Sequence, residues 1–221
     1  MIKLILFDAS DVLYTRRVSS KQFARTLLEE AGFHHHPSSK DGEYLKAIEN
    51  EATVGKATYI DYWNLFLRMH GVPEGKQREI LFKRIINQNH EVYPREGVPS
   101  VLEELHRKGY ILGVITDTIY PTEWKRKWLD TVGATPYLDI FVCSREEGVR
   151  KPDRRIYQIA LTRAKVAPQE ALFVGHSKQE LEGAREAGIR TIAVWKDPGA
   201  IGDYEISTLK ELMPLLEGMI A

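Results

Sequence analysis

Asp8 closes the apolar run Ile2-Lys3-Leu4-Ile5-Leu6-Phe7, and a carboxylate in that position is placed to act as a nucleophile. A run so rich in Ile, Leu and Phe reads as a strand buried on both faces. Such strands lie inside parallel sheets and deliver side chains to a site at their carboxyl end. Three later segments offer partners for the carboxylate. The run Ile111-Leu112-Gly113-Val114-Ile115-Thr116 ends in a hydroxyl, with Asp117 directly after it. Lys151 stands in Gly148-Val149-Arg150-Lys151-Pro152, where Pro152 suits the first turn of a helix. The run Ala171-Leu172-Phe173-Val174-Gly175 leads into His176, Ser177 and Glu180. Brought to one sheet edge, Lys151 would keep Asp8 ionised and attract an anion. Backbone N–H groups of the turns after Asp8 and Thr116 would hold that anion's oxygens.

Positioning these residues requires a regular scaffold, and the chain carries one. Apolar runs around 2–7, 111–116, 138–143, 171–175 and 190–195 read as strands. Segments of helical periodicity near 98–108, 121–132, 154–165 and 179–187 separate them. This alternation predicts an α/β fold, a doubly wound parallel sheet with right-handed crossovers. Residues 16–92 break the rhythm, being far too long for a simple crossover and free of any clear strand. Apolar residues recur there at helical spacing: Phe23, Leu27 and Leu28, then Tyr59, Tyr62, Trp63, Phe66 and Leu67, then Ile80, Leu81 and Ile85. A helical insertion over 16–92 in a core of 1–15 and 93–221 accounts for this, with the aromatic stripe as its packing. His34-His35-His36 precede Pro37-Ser38-Ser39 and read as a solvated loop, since adjacent residues do not converge on one ion.

Composition narrows the class. The chain has 221 residues with 43% hydrophobic and 28% charged side chains, as expected of a water-soluble fold with one substantial core. Formal net charge is zero and no basic block occurs, so neither nucleic acid nor an anionic membrane surface is expected as a partner. The amino terminus enters a core-type strand at once, and the one cysteine, Cys143, lies in an apolar run without a nearby histidine. Both point to a cytoplasmic protein with a structural cysteine. No pattern in the chain fixes an oligomeric state.

Four ordered segments, FDASDVLY, the strand ending at Thr116, GVRKP, and VGHSKQE followed by Gly183-Ala184 and Ala187-Gly188, resemble the haloacid dehalogenase-like (HAD) hydrolase superfamily. The resemblance covers essentially the whole chain. It implies a Rossmann-like core and identifies residues 16–92 with the family's small helical (C1-type) cap. By the same resemblance Asp8 is the nucleophile, Thr116 bonds the transferring group and Lys151 steadies the charge. Asp117, His176, Ser177 and an arginine just past the first motif, Arg16 or Arg17, are expected to bind substrate.

The departures bear on the chemistry. Ser10 stands where phosphatases of the family hold their general acid/base carboxylate, and a hydroxyl cannot protonate a leaving group near neutrality. Asp11 follows, either as a turn residue tolerant of left-handed backbone or as a displaced acid. His176 replaces a Mg2+ ligand, which leaves Asp8 and Glu180 as weak metal candidates. Mg2+ is therefore disfavoured as a cofactor by Ser10 and His176, with Zn2+ or Mn2+ on Asp8, His176 and Glu180 as an alternative. The expected function is an Asp8-dependent hydrolase of a small anionic substrate, phosphorylated or a 2-halo acid, with an impaired Mg2+-phosphatase site. The alternative is a catalytically inactive HAD-fold protein that binds an anionic ligand or a protein partner.

Overall fold

The computed structural model describes residues 1–219. The first apolar run forms strand β1 (Leu4–Phe7), with all four residues buried. Ile5 and Phe7 enter one hydrophobic core, while Leu4 and Leu6 enter another. A strand covered on both faces must divide its side chains in this way. After a short strand β2 (Tyr14–Thr15) come four helices: α1 (Ser20–Glu30), α2 (Ser39–Thr53), α3 (Tyr59–Met69) and α4 (Lys76–Asn89). The chain returns through β3 (Tyr93–Pro94), which pairs antiparallel with β2. It then alternates through α5 (Ser100–Arg107), β4 (Ile111–Thr116), α6 (Thr122–Thr131), β5 (Ile140–Cys143), α7 (Ser144–Glu147) and α8 (Arg154–Ala164). Next come β6 (Ala171–Gly175), α9 (Lys178–Glu186), β7 (Arg190–Val194), β8 (Tyr204–Ile206) and α10 (Leu212–Gly218).

Six strands make one sheet in the order β5-β4-β1-β6-β7-β8, parallel at every pairing. The order reverses at β1, which opens a crevice at its carboxyl end between β4 and β6. Register makes that crevice a meeting point. Phe7 lies level with Val114 and with Val174, and the Asp8 N–H donates to the Val174 carbonyl at 2.9 Å. Asp8, Thr116 and Gly175 therefore leave the sheet side by side.

The doubly wound parallel sheet matches the architecture expected from the run pattern, with element ends shifted by a few residues. Several features, among them the short helix α7, were not anticipated. Helix α2 has only Ala52 and Thr53 buried, so it lacks the apolar stripe that would announce a helix. Its start is set instead by a capping box, in which Ser38 and Asp41 exchange bonds, at a stretch expected to be plain loop. The β2–β3 pair is too short to produce a pattern, and the edge strand β8 and helix α10 follow a Gly- and Pro-containing stretch that masks them. His34, His35 and His36 are exposed in a segment without regular structure, and Cys143 is fully buried. Among the described residues no helix is long and apolar enough to cross a membrane.

Candidate active site

Lys151 is the centre of the constellation. Its ammonium donates to Asp8 Oδ1 and, at 2.6 Å, to Glu180 Oε1. Lys151 and Asp8 are each only 3% exposed, so the pair is removed from solvent screening. Asp8 hangs from the end of β1, Lys151 from the loop before α8, and Glu180 from the first turn of α9. The close approach of these elements depends on Gly183. A Cβ there would lie 2.3 Å from the Pro152 carbonyl oxygen, so only glycine lets α9 settle against the Lys151-Pro152 backbone. The Tyr157 hydroxyl ties the same helix down by donating to the Glu180 carbonyl at 2.7 Å.

His176 completes the ring. Its Nε2 stands 3.9 Å from both Asp8 Oδ2 and Glu180 Oε2, and its Nδ1 stands 3.4 Å from Asp197 Oδ2. Asp197 is held by its own N–H, which donates to the His176 carbonyl at 2.9 Å. Asp8, His176 and Glu180 each offer one ligand atom within 4.8 Å of the others. Glu180 Oε2 is buried without a protein partner, as is Thr116 Oγ1 at the end of β4. These two unpaired atoms are open to a ligand. Asp117 Oδ1 accepts the Lys151 backbone N–H at 3.3 Å and so anchors the lysine loop to β4.

Burial sets the electrostatics. Desolvation, reinforced by the Glu180 charge, pushes the Asp8 carboxyl up to about 6 against the opposing pull of Lys151 and His176. Burial also works to raise Glu180, but Lys151, His176 and the hydrogen bonds to Lys151 and Ser177 outweigh it and leave the carboxyl below its ordinary value. For Lys151, burial works against the charge, yet the Asp8, Glu180 and Asp117 carboxylates together hold the ammonium well above its usual range. Burial raises Asp117. One firmly charged ammonium thus serves two carboxylates, of which Asp8 is the weaker acid.

Two expected residues have other uses. Asp11 sits in the left-handed region at φ 61°, with Oδ1 accepting from Thr15 at 2.8 Å and lying 3.6 Å from Arg95 Nη2. Its carboxylate bonds within its own turn and faces Arg95 beside β3. Ser177 is the N-cap of α9, its Oγ accepting from the Glu180 N–H at 3.4 Å. Arg16 and Arg17 diverge. Arg17 lies over the Tyr93 ring, whereas Arg16 lines the cavity beside the site.

That cavity, about 370 Å³, lies between the helical insertion and the sheet edge and includes Ser10, Arg16, Tyr62, Trp63, Asn89 and Asp117 in its wall. Trp63 Nε1 donates to Tyr120 Oη at 2.9 Å, so the aromatic stripe of α3 packs directly on the loop after β4. Lys125 of α6 also lines the cavity. It donates to Ser10 Oγ at 3.0 Å and to Tyr14 Oη at 2.8 Å, and is 3% exposed. The sequence reading passed over Lys125, Tyr14 and Asp197. Lys125 left a signal, for it shares the buried face of α6 with Thr122, Trp128 and Leu129, where a lysine needs a reason. Asp197 left none.

The sheet order and this set of residues define a class, and comparison with known proteins agrees. The family model described as haloacid dehalogenase-like hydrolase matches residues 5–194, and the chain belongs to that family. It is 26% identical to a glyceraldehyde 3-phosphate phosphatase of Methanopyrus kandleri, over 98% of this chain and 97% of the relative. It is 30% identical to (S)-2-haloacid dehalogenase 4A of Burkholderia cepacia, over 72% of each. In fold it is similar to a 2-haloacid dehalogenase from Pseudomonas syringae pv. Tomato, with a TM-score of 0.70 and 23% identity over 99% of this chain and all of that one. Relatives of this chain thus include hydrolases of both phosphorylated and halogenated small anions.

Proposed function

We propose that the chain is a hydrolase of a small anionic substrate, with Asp8 as the nucleophile and Lys151 as the positive charge of the site. The observation that carries this reading is the buried Lys151–Asp8 pair at the mouth of the crevice. A carboxylate oxygen of Asp8 attacks the substrate's reacting centre, and the bond to the leaving group breaks with its electron pair. The resulting ester on Asp8 is then hydrolysed by water, which regenerates the carboxylate and releases a proton. Thr116 Oγ1, which has no partner in the protein, donates to the substrate's oxygens.

The proton balance favours a halogen-bearing carbon over a phosphate ester. A halide leaves without a proton, whereas an alkoxide needs one, and Ser10 cannot supply it. Magnesium fits poorly. It asks for hard oxygen ligands in octahedral array, whereas the convergent atoms here are two carboxylate oxygens and an imidazole nitrogen, with Lys151 bonded to both carboxylates. No step is therefore routed through a metal, and the ammonium takes over the charge stabilisation. Residues 16–92 act in this reading as a cap on the core of 1–15 and 93–221, and contribute Arg16, Tyr62, Trp63 and Asn89 to the cavity wall.

A second reading rests on Ser10 and His176 together, two substitutions in separate motifs: a protein that binds an anion and turns nothing over. One experiment separates them. Halide release from 2-chloropropionate and phosphate release from p-nitrophenyl phosphate are measured in EDTA and in Mg2+. The hydrolase reading expects turnover that survives EDTA and disappears in Asp8→Asn. Background rates with both substrates in both conditions would leave only the binding reading.

A further inference from the structure

Lys125 is a buried cation without a counter-charge. Its two hydrogen-bond partners are the neutral hydroxyls of Ser10 and Tyr14, and those hydroxyls lie 3.1 Å from each other. Among the described residues no carboxylate lies within ion-pair distance of it. Its remaining neighbours are the Tyr14 and Trp128 rings, 5.4 and 5.5 Å from the ammonium. An ammonium taken out of water normally carries a paired anion, because aromatic faces and hydroxyls do not offset its lost hydration.

Arg16 lies over the same Trp128 ring at 4.6 Å, and its Nε and Nη2 both donate to the Asn89 carbonyl. That leaves Nη1 without a partner and the guanidinium likewise without a carboxylate. The cavity wall as a whole carries five cationic side chains against two carboxylates, Glu49 and Asp117. Glu49 is taken by Lys21 at 2.8 Å and Lys46 at 3.1 Å. The charge left without a carboxylate is therefore at Lys125, Arg16 and Arg150, and of these Arg150 donates to Asn50 Oδ1 at the exposed side.

We propose that Lys125, with Ser10, Tyr14 and Arg16 around it, is a carboxylate subsite, and that the ligand of this cavity is a small acid whose carboxylate lies within a few bonds of the group facing Asp8. This deepens the hydrolase reading by naming the acid's second point of attachment. Ser10 is two residues from Asp8, so their backbones stand at most about 7 Å apart, which favours compact acids over long ones. Lys125 keeps the cavity cationic in the free protein, and the incoming carboxylate supplies its missing partner. The cost of the unpaired charge is thereby recovered in affinity.

Binding, rather than turnover, tests this, so that failure of the hydrolase chemistry does not decide it. Malonate and its monoamide differ by one charge, and each is titrated calorimetrically into the parent protein, Lys125→Met and Lys125→Arg. The subsite expects malonate to bind the parent about tenfold or more tighter than the monoamide. That preference should vanish in Lys125→Met and persist in Lys125→Arg. A melting curve without ligand gives the second readout. Removing a buried unpaired charge should raise the melting temperature of Lys125→Met, whereas a lysine present only for structure would lower it. Equal affinity for the two ligands in the parent, an unchanged preference in Lys125→Met, or a fall in its melting temperature would each overturn the subsite.

Discussion

Asp8 and Glu180 share the single ammonium of Lys151, and the consequences of breaking that arrangement differ by position. Lys151→Met would leave two buried carboxylates facing one another, an uncompensated loss worth about 3–5 kcal/mol. That is a large part of the stability of an ordinary domain. We expect a clear drop in denaturation midpoint together with loss of turnover. Adding Glu180→Gln to the same protein should recover part of the stability without restoring activity. The pH response follows from Asp8. Burial lifts its carboxyl to about 6, and only the ionised form attacks, so kcat/KM should fall with unit slope below about pH 6. A profile that stays flat down to pH 4.5 would show that Asp8 remains ionised there under the pull of Lys151, or that another group carries the nucleophilic step. At this scale Asp8 and Thr116 were legible because each closes or follows an apolar run, and Lys151 because Gly148-Val149-Arg150-Lys151-Pro152 resembles a family motif. Lys125 and Asp197 were not, since they reach the site across 115 residues to Ser10 and 21 residues to His176, through contacts that no local pattern encodes.

Helix α9 shows how an element can be specified by one atom's absence. Its second turn passes so close to Pro152 that Gly183 has no room for a methyl group. In an ordinary helix interior, glycine to alanine gains about 1 kcal/mol. Here the clash with rigid backbone should cost about 1–3 kcal/mol and decide the sign. Gly183→Ala is thus expected to lower the unfolding midpoint and also to slow turnover, because α9 carries Glu180 and the displaced loop carries Lys151. A stabilised Gly183→Ala protein would mean that the loop yields freely. The sheet strands were legible because β1, β4, β6 and β7 are buried nearly throughout and so read as unbroken apolar runs. Helix α2 was not, because its burial is confined to its last two residues and it is defined by caps and pairing rather than by an apolar stripe.

At the scale of the whole molecule, the cavity beside the sheet edge is walled by both the core and the insertion. The sheet edge supplies Asp8, Thr116, Lys151, His176 and Glu180, while the insertion contributes Arg16, Tyr62, Trp63 and Asn89 to the cavity wall. Substitution of Trp63 by phenylalanine removes the bond to Tyr120 while leaving the sheet edge untouched. It should therefore raise KM several-fold with little change in kcat, and steady-state kinetics would tell this from a catalytic defect. The insertion leaves and rejoins the core through β2 and β3, which lie side by side, with Thr15 level with Tyr93. Neighbouring antiparallel strands stand only about 5 Å apart, a gap that a two-residue turn can bridge. The four helices are therefore mounted like an exchangeable cassette. A lineage, or an engineer, can exchange the insertion's share of the cavity wall at that one junction and leave the groups on the sheet edge where they were.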